Sequence, residues 1–459
     1  MLPKILITAL FSGALAATQE PLSYADEPNR CDPTCQLGYR KILADESSRW
    51  VNQNLSTDPF YSNPANISEY SVGDLVKWEE IPSVQASRRW TVPAGVTLTR
   101  FFYITEDIDG KPIPATGFVL TPYSNPLGKE KPFRTVVWTH GTAGGTRQCA
   151  PSNHRALYYE WQGPFALALQ GYVVIAPDYA GQGSDIPQGF MYESGALHAG
   201  DVSFGLQAAR TALGNKITKE WVVIGHSEGG MTAWRTGERE AREGKATGGF
   251  LGAVAVAPAL QPIKLIPESF RRAGDGPAGD VVSIFLLQSI SRLYPSIKVE
   301  DYATDIVLSR IPLADQGCLY TGGQIYGNLT VKELYKNTSF VEHPDFVDWQ
   351  KRYNGAGPHK LAAPMLVIQG EADILTYAEY AEEDFDETCK EFPESTAEYR
   401  SYPDLDHGAV MHASHYDFLA WIEDRFNGVK LNRGCKKVKV SPATDRFALV
   451  AHDWVADLK

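Results

Sequence analysis

Ser227 stands in Gly225-His226-Ser227-Glu228-Gly229-Gly230, directly after the apolar run Trp221-Val222-Val223-Ile224 and before a helical pattern. A serine hydroxyl is a weak nucleophile near neutral pH; it needs a base, a carboxylate to orient that base, and donors for a developing oxyanion. Gly-x-Ser-x-Gly between a buried strand and a helix is the arrangement that lifts such a serine onto a sharp turn. Glycine is required at Gly225 and Gly229 because the serine takes a strained backbone position that Cβ atoms two residues away would obstruct. The competing reading is a glycine-rich turn with an idle serine, so the partners must decide.

In this arrangement the carboxylate and then the histidine follow in chain order, each in a loop after a later strand. Pro364–Gln369 reads as a short buried strand that opens through Gly370 into Glu371-Ala372-Asp373. Asp373 is the expected acid; Glu371, immediately after the strand glycine, sits too near the sheet end to reach back. Glu398–Tyr402 has strand character, and the loop Pro403-Asp404-Leu405-Asp406-His407-Gly408 follows it. That places His407 as the base, whereas His412 and His415 fall inside the next helix pattern. The oxyanion donors should be main-chain amides. One belongs to Glu228 and the other to Thr142, with Gly141 as its alternative, in Thr139-His140-Gly141-Thr142-Ala143-Gly144-Gly145. A phosphate-binding loop would need Gly-Lys-Ser/Thr or Gly-x-Gly-x-x-Gly, and this run has neither.

The elements that must position these residues alternate along the chain. Strands are expected at Leu98–Thr105, Gly117–Pro122, Arg134–Thr139, Tyr172–Pro177, Glu220–Ile224, Gly249–Ala257, Pro364–Gln369 and Glu398–Tyr402. Helices include His198–Leu213 and Glu228–Glu243. Continuous Val/Ile-rich runs separated by helices predict a mostly parallel sheet covered on both faces. Ser227 and Asp373 lie 146 residues apart, about 100 more than one further strand and helix require, so an inserted cap is expected above the sheet's carboxyl end. It runs over 261–361 and contains the apolar stretch Val281–Leu287, suited to covering a pocket or to seating the cap on the core. The core would then comprise 96–260 and 362–430, preceded by a polar arm over 18–95 and followed by a tail over 431–459.

Composition narrows the setting. The chain has 459 residues, 43% of them hydrophobic, with 43 Lys+Arg against 55 Asp+Glu, a net charge of −12. An acidic chain excludes a nucleic-acid footprint and attraction to anionic membranes, while interfacial contact through an apolar cap stays open. Met1-Leu2-Pro3-Lys4, an apolar stretch to Leu15 and the small residues up to Ala17 read as a signal peptide over 1–17; the stretch is too short to span a bilayer. A secreted product without a transmembrane segment is therefore expected, and Asn54, Asn66, Asn328 and Asn337 are its glycosylation acceptors. Six cysteines allow three disulfides in fifteen connectivities. Cys31 with Cys35 would close a local loop, Cys149 with Cys318 would pin cap to core, and Cys389 with Cys435 would tie a helix to the tail. No metal site is expected, since Cys-x-x-Cys is absent and the histidines lack ligand spacing.

His140-Gly141-Thr142, Cys149-Ala150-Pro151-Ser152, Gly225–Gly230 and Gly370-Glu371-Ala372-Asp373 resemble, in order and approximate spacing, the fungal and bacterial secretory lipases of the Candida antarctica lipase A type. The resemblance spans roughly residues 95–430. It implies an α/β-hydrolase fold with a mostly helical lid before the acid, a Ser227-Asp373-His407 triad, donors at Thr142 and Glu228, and hydrolysis of carboxylic esters. No cofactor or metal is implied, the substrate is a small-molecule or lipid ester, and the protein is expected to act as a monomer. The His-Gly form at the third strand departs from those lipases toward ordinary esterases, which leaves an esterase or deacetylase for a natural product or plant-wall ester as an alternative. A serine peptidase would use the same triad, and a non-catalytic binding protein would be expected to have lost one of its members.

Overall fold

The computed structural model describes residues 29–449, so the expected signal peptide lies outside the described residues. Ten strands form one sheet: β1 (Leu75–Glu80), β2 (Val96–Glu106), β3 (Pro112–Pro122), β4 (Phe133–Thr139), β5 (Val173–Pro177), β6 (Ile217–His226), β7 (Phe250–Val256), β8 (Met365–Gly370), β9 (Thr396–Tyr402) and β10 (Gly434–Lys439). Their spatial order is β1-β2-β3-β5-β4-β6-β7-β8-β9-β10. The β1/β2, β2/β3 and β3/β5 pairs are antiparallel, and every pair from β5/β4 to β9/β10 is parallel.

The alternation of side chains along the strands divides the core. Trp138, Val222, Ile224, Val254, Leu366 and Ile368 face one way, onto Phe165, Val410, Phe418 and Trp421 of the helices on that side. Val137, Val223, Ala253, Ala255, Met365 and Val367 face the other way, onto Leu206, Met231, Trp234 and Phe385. Period-two burial on both faces is why the central strands are continuous apolar runs, each buried Val, Leu or Ile contributing about 1.5–3 kcal/mol.

Between β7 and β8 the chain leaves the sheet for a series of helices, among them Pro262–Ala273, Val282–Leu293, Asp305–Ala314, Leu319–Tyr326 and Pro344–Trp349. They enclose their own apolar cluster, centred on Ile284, Phe285, Leu287, Tyr326 and Trp349. The first segment of the described chain is bound into this region. The helix Pro33–Ser48, capped by the Asp32 carboxylate on the Cys35 amide, delivers buried Glu46 to the start of Leu319–Tyr326. There the Glu46 carboxylate accepts from the amides of Cys318 (2.7 Å), Tyr320 (3.1 Å) and Thr321 (3.3 Å) and from the Thr321 hydroxyl (2.6 Å). These are amides without an intrahelical acceptor, at the positive end of the helix dipole.

The structure differs from the sequence reading at both ends of the sheet. The stretch expected to be a polar arm contains a helix and β1, and the stretch expected to be a tail contains β10. Both are edge strands: β1 reads Leu-Val-Lys-Trp-Glu-Glu and β10 Gly-Cys-Lys-Lys-Val-Lys, and no residue of either is fully buried. Charged edge strands lack the apolar alternation that announces a strand, and their lysines also discourage pairing with other chains.

Candidate active site

The strand β6 ends at His226, and the helix Glu228–Arg242 begins one residue after Ser227. Ser227 takes φ 60° and ψ −123°, a conformation that costs a non-glycine residue about 1–3 kcal/mol and must be held by its surroundings. Three hydrogen bonds hold it: the Ser227 amide donates to Val256 O (2.9 Å), and Ser227 O accepts from Met231 N (3.0 Å) and Ala259 N (3.3 Å). A Cβ at Gly225 would strike the Thr139 hydroxyl, and one at Gly229 would strike the Thr139 carbonyl. The glycines are therefore required by the close crossing of β4 as well as by the turn.

Asp373 and His407 meet across the loops after β8 and β9. His407 Nδ1 donates to Asp373 Oδ2 at 2.7 Å. The buried carboxylate also accepts from Gln369 Nε2 (2.9 Å) and the Thr376 hydroxyl (2.7 Å) at Oδ2, and from the amides of Leu375 (2.8 Å) and Thr376 (2.9 Å) at Oδ1. Burial by itself would raise the Asp373 pKa. The charge and hydrogen bond of His407, with the two amides, outweigh it and hold the group well below the usual carboxylate range. Asp373 is thus a fixed anion that keeps the His407 hydrogen on Nδ1 and leaves Nε2 as the basic nitrogen.

Ser227, His407 and Thr142 open onto one cavity of about 570 Å³, within the size range of small-molecule sites. Its walls are mostly apolar, with Ile266, Val281, Val282 and Leu286 from the cap and Leu375 from the acid loop. Of the stretch Val281–Leu287, Val281, Val282 and Leu286 line the cavity, while Ile284, Phe285 and Leu287 pack in the cap's own apolar cluster. On the opposite wall Tyr158 donates to Thr142 O (2.6 Å), and the Thr142 hydroxyl is hydrogen-bonded to that of Tyr192 (2.7 Å). A Cβ at Gly141 would meet the Tyr159 hydroxyl and come within 3.1 Å of Ser227 Cβ. The loop therefore lies against Ser227, and Glu228, the first residue of the helix that follows, has an amide free of intrahelical partners.

A sequence profile described as the alpha/beta hydrolase family matches residues 136–420. The chain belongs to the α/β-hydrolase family. No curated protein matches it by sequence. Among solved structures it is similar to Candida antarctica lipase A, with a TM-score of 0.67, 16% identity, and coverage of 84% of this chain and 90% of that one. A Legionella pneumophila protein described as a hydrolase gives 0.63 at 18% identity, with coverage of 78% and 100%. The rice cell wall degrading esterase LipA of Xanthomonas oryzae gives 0.59 at 16% identity, with coverage of 78% and 98%. At these identities the likeness is one of fold.

Several other residues of this α/β-hydrolase can now be placed. Glu371 is turned away from His407, accepting from the Ser401 hydroxyl (2.9 Å) and Lys439 (2.8 Å). His415 Nε2 donates to Gln162 O (3.0 Å), and His412 lies in the helix Ala409–Ala413. Disulfides join Cys31 to Cys35, Cys149 to Cys318 and Cys389 to Cys435. The second anchors the cap directly behind the loop 140–145, where Leu319 N also donates to Ala143 O (3.0 Å). Asn54, Asn66, Asn328 and Asn337 are all exposed. Among the described residues no helix is long and apolar enough to cross a membrane, and no three potential metal ligands cluster.

Sequence reasoning passed over three features. Glu228 contributes more than its amide: its side chain is fully buried beside Glu193, burial pushes both carboxyls up, and the charge of Glu193 pushes Glu228 further. Beside Gly141, the rings of His140, Tyr179 and His198 stack at 4.2 Å spacings. His226 contacts the His407 loop directly. Only Gly-His-Ser itself hinted at the last, through a bulky polar residue at a position buried by the fold.

Proposed function

We propose that this protein is a secreted serine carboxylic-ester hydrolase of the lipase/esterase type. The observation that carries the reading is the bond from Asp373 to His407 on the rim of the cavity that Ser227 faces. In the reaction, His407 Nε2 takes the Ser227 proton as Oγ attacks the ester carbonyl. The tetrahedral oxyanion is held by the amides of Thr142 and Glu228. His407 then returns the proton to the departing alcohol, and water repeats the sequence on the acyl-enzyme. The imidazolium formed midway is stabilised by Asp373, which is already an anion. A mostly apolar cavity of about 570 Å³ suits a medium or long acyl chain better than acetate. Three disulfides and the leader-like N-terminus support secretion.

The test is steady-state hydrolysis of p-nitrophenyl acetate, octanoate and palmitate by the wild type and Ser227→Ala. Best turnover on a longer ester, abolished by the substitution, is the expected result. Turnover confined to acetate would replace it with a small-ester esterase, and activity surviving in Ser227→Ala would overturn the mechanism.

A further inference from the structure

His226 immediately precedes the nucleophile, yet its side chain is engaged with the base. His226 Nε2 lies 2.8 Å from the His407 carbonyl oxygen, Nδ1 lies 2.8 Å from the Tyr159 hydroxyl, and the His226 and His407 rings are 4.6 Å apart. We propose that His226 is a positioning residue that sets where His407 stands relative to Ser227; this rests on reading Ser227, Asp373 and His407 as the reacting triad.

The tautomer follows from the partners. A carbonyl oxygen only accepts, so the His226 hydrogen is on Nε2. Nδ1 then carries a lone pair, and the Tyr159 hydroxyl donates to it. Both nitrogens are satisfied by the neutral ring in this tautomer. The ionisable groups that act on His226 are His407, Asp373 and His412, with Tyr159 bonded to it. Burial first, and the neighbouring charge of His407 second, push its pKa down to about 3, so the ring stays neutral. Neutrality matters because a cation here would oppose the imidazolium that His407 must become.

The two grips on His407 complement each other. Asp373, from the loop after β8, holds the ring at Nδ1, while His226, at the end of β6, holds the main chain of the same residue. The last residue of β6 therefore anchors the base and the next residue in the chain, Ser227, is the nucleophile, so their separation is fixed within one peptide unit. Tyr159 extends the brace, since its hydroxyl fills the space that a Cβ at Gly141 would need. The residue that fixes the His226 tautomer thus also abuts the oxyanion loop.

The test compares His226→Gln, which keeps an N–H near the Nε2 position, with His226→Asn, which is too short to reach the His407 carbonyl. The readouts are kcat and KM on the best p-nitrophenyl ester and the rate of fluorophosphonate labelling of Ser227. Labelling needs a working base but no ester turnover, so a wrong substrate guess and a failed positioning role stay distinct. His226→Asn is expected to lower kcat and labelling about 30-fold, as loss of alignment does, with KM within about twofold. His226→Gln should stay within about threefold of wild type, since its donor survives. Equal losses in the two variants, a loss taken in KM, or a fully active His226→Asn would overturn the proposal. If His226→Asn does not fold, Tyr159→Phe decides: a drop of about fivefold in kcat at unchanged KM is expected from losing an outer partner, and a wild-type kcat would refute the brace. A wild type that neither hydrolyses esters nor labels would overturn the triad reading and the proposal with it.

Discussion

Asp373→Asn separates the orienting role of the carboxylate from its structural one. Asp373 Oδ1 accepts two main-chain amides, from Leu375 and Thr376. An amide N–H cannot accept, so the asparagine oxygen must stay on that side. Its NH2 then occupies the Oδ2 position, facing His407 Nδ1, and forces that nitrogen to become the acceptor. The His407 hydrogen moves to Nε2, which then has no lone pair to take the serine proton. A wrong-tautomer substitution of this type in a serine protease lowers kcat by about 10⁴, which corresponds to about 5 kcal/mol of barrier. The fold should tolerate the change. Gln369 Nε2 would face the new NH2, but Gln369 Oε1 is buried without a partner, and rotating that amide by half a turn restores a donor–acceptor pair. The assay is p-nitrophenyl octanoate turnover with a parallel thermal melt. A kcat about four decades down with Tm within a few degrees is expected. A folded variant keeping more than a tenth of wild-type kcat would refute the assignment of Asp373. Glu371→Gln, removed from His407, should leave kcat essentially unchanged.

Three further outcomes are expected. Burial raises the pKa values of Asp178 and Asp201 to about 6 and 7 and that of Glu193 to about 8, all above the unfolded value near 4. A raised folded pKa contributes stability that is fully present below that value and lost as pH climbs through the folded one. The buried His140, His154, His198 and His226, with pKa values pushed down to about 3–4, act in the opposite sense up to the unfolded value near 6.5. The fall in Tm is therefore expected between about pH 7 and pH 8.5, and a rising Tm over that window would contradict the assignment. Replacing Cys149 and Cys318 together by serine should lower Tm more than replacing Cys31 and Cys35. The former closes a separation of 169 residues and the latter one of 4, with about 5 kcal/mol as the ceiling for the long loop; equal shifts by differential scanning fluorimetry would count against this. Val282→Trp, which projects bulk into the cavity, should move the preferred p-nitrophenyl ester toward shorter chains, and an unchanged chain-length profile would show that Val282 does not bound the acyl site.

The legible parts of this chain were those where one residue type answers a local physical demand. Gly225 and Gly229 are required by the crossing of Thr139 beneath Ser227, and Val222-Val223-Ile224 must be apolar throughout because β6 is buried on both faces. The interval before Asp373 left room for the helical insertion now seen between β7 and β8. Illegible parts depended on partners distant in sequence. β1 and β10 are polar because they are edges, so their strand character lies in their neighbours. His226 bonds a main-chain carbonyl, and a carbonyl leaves no trace in residue identity. Glu46 looks like any solvated helix residue until its donors, more than 270 positions away, are brought to it.

The Glu46 clamp also has a consequence for biosynthesis. A ribosome adds about 5–20 residues per second, and the amides that Glu46 caps are separated from it by 272 to 275 residues. The helix Pro33–Ser48 therefore emerges many seconds before its partner exists, with Tyr39 and Ile42, buried in the finished protein, still in water. During that interval this helix is a sticky, undocked segment available to chaperones and to neighbouring nascent chains. Closure comes only when Cys318–Thr321 leaves the exit tunnel. The first helix among the described residues is thus among the last to dock, and mutations in it should depress the yield of folded protein more than they depress the activity of the molecules that fold.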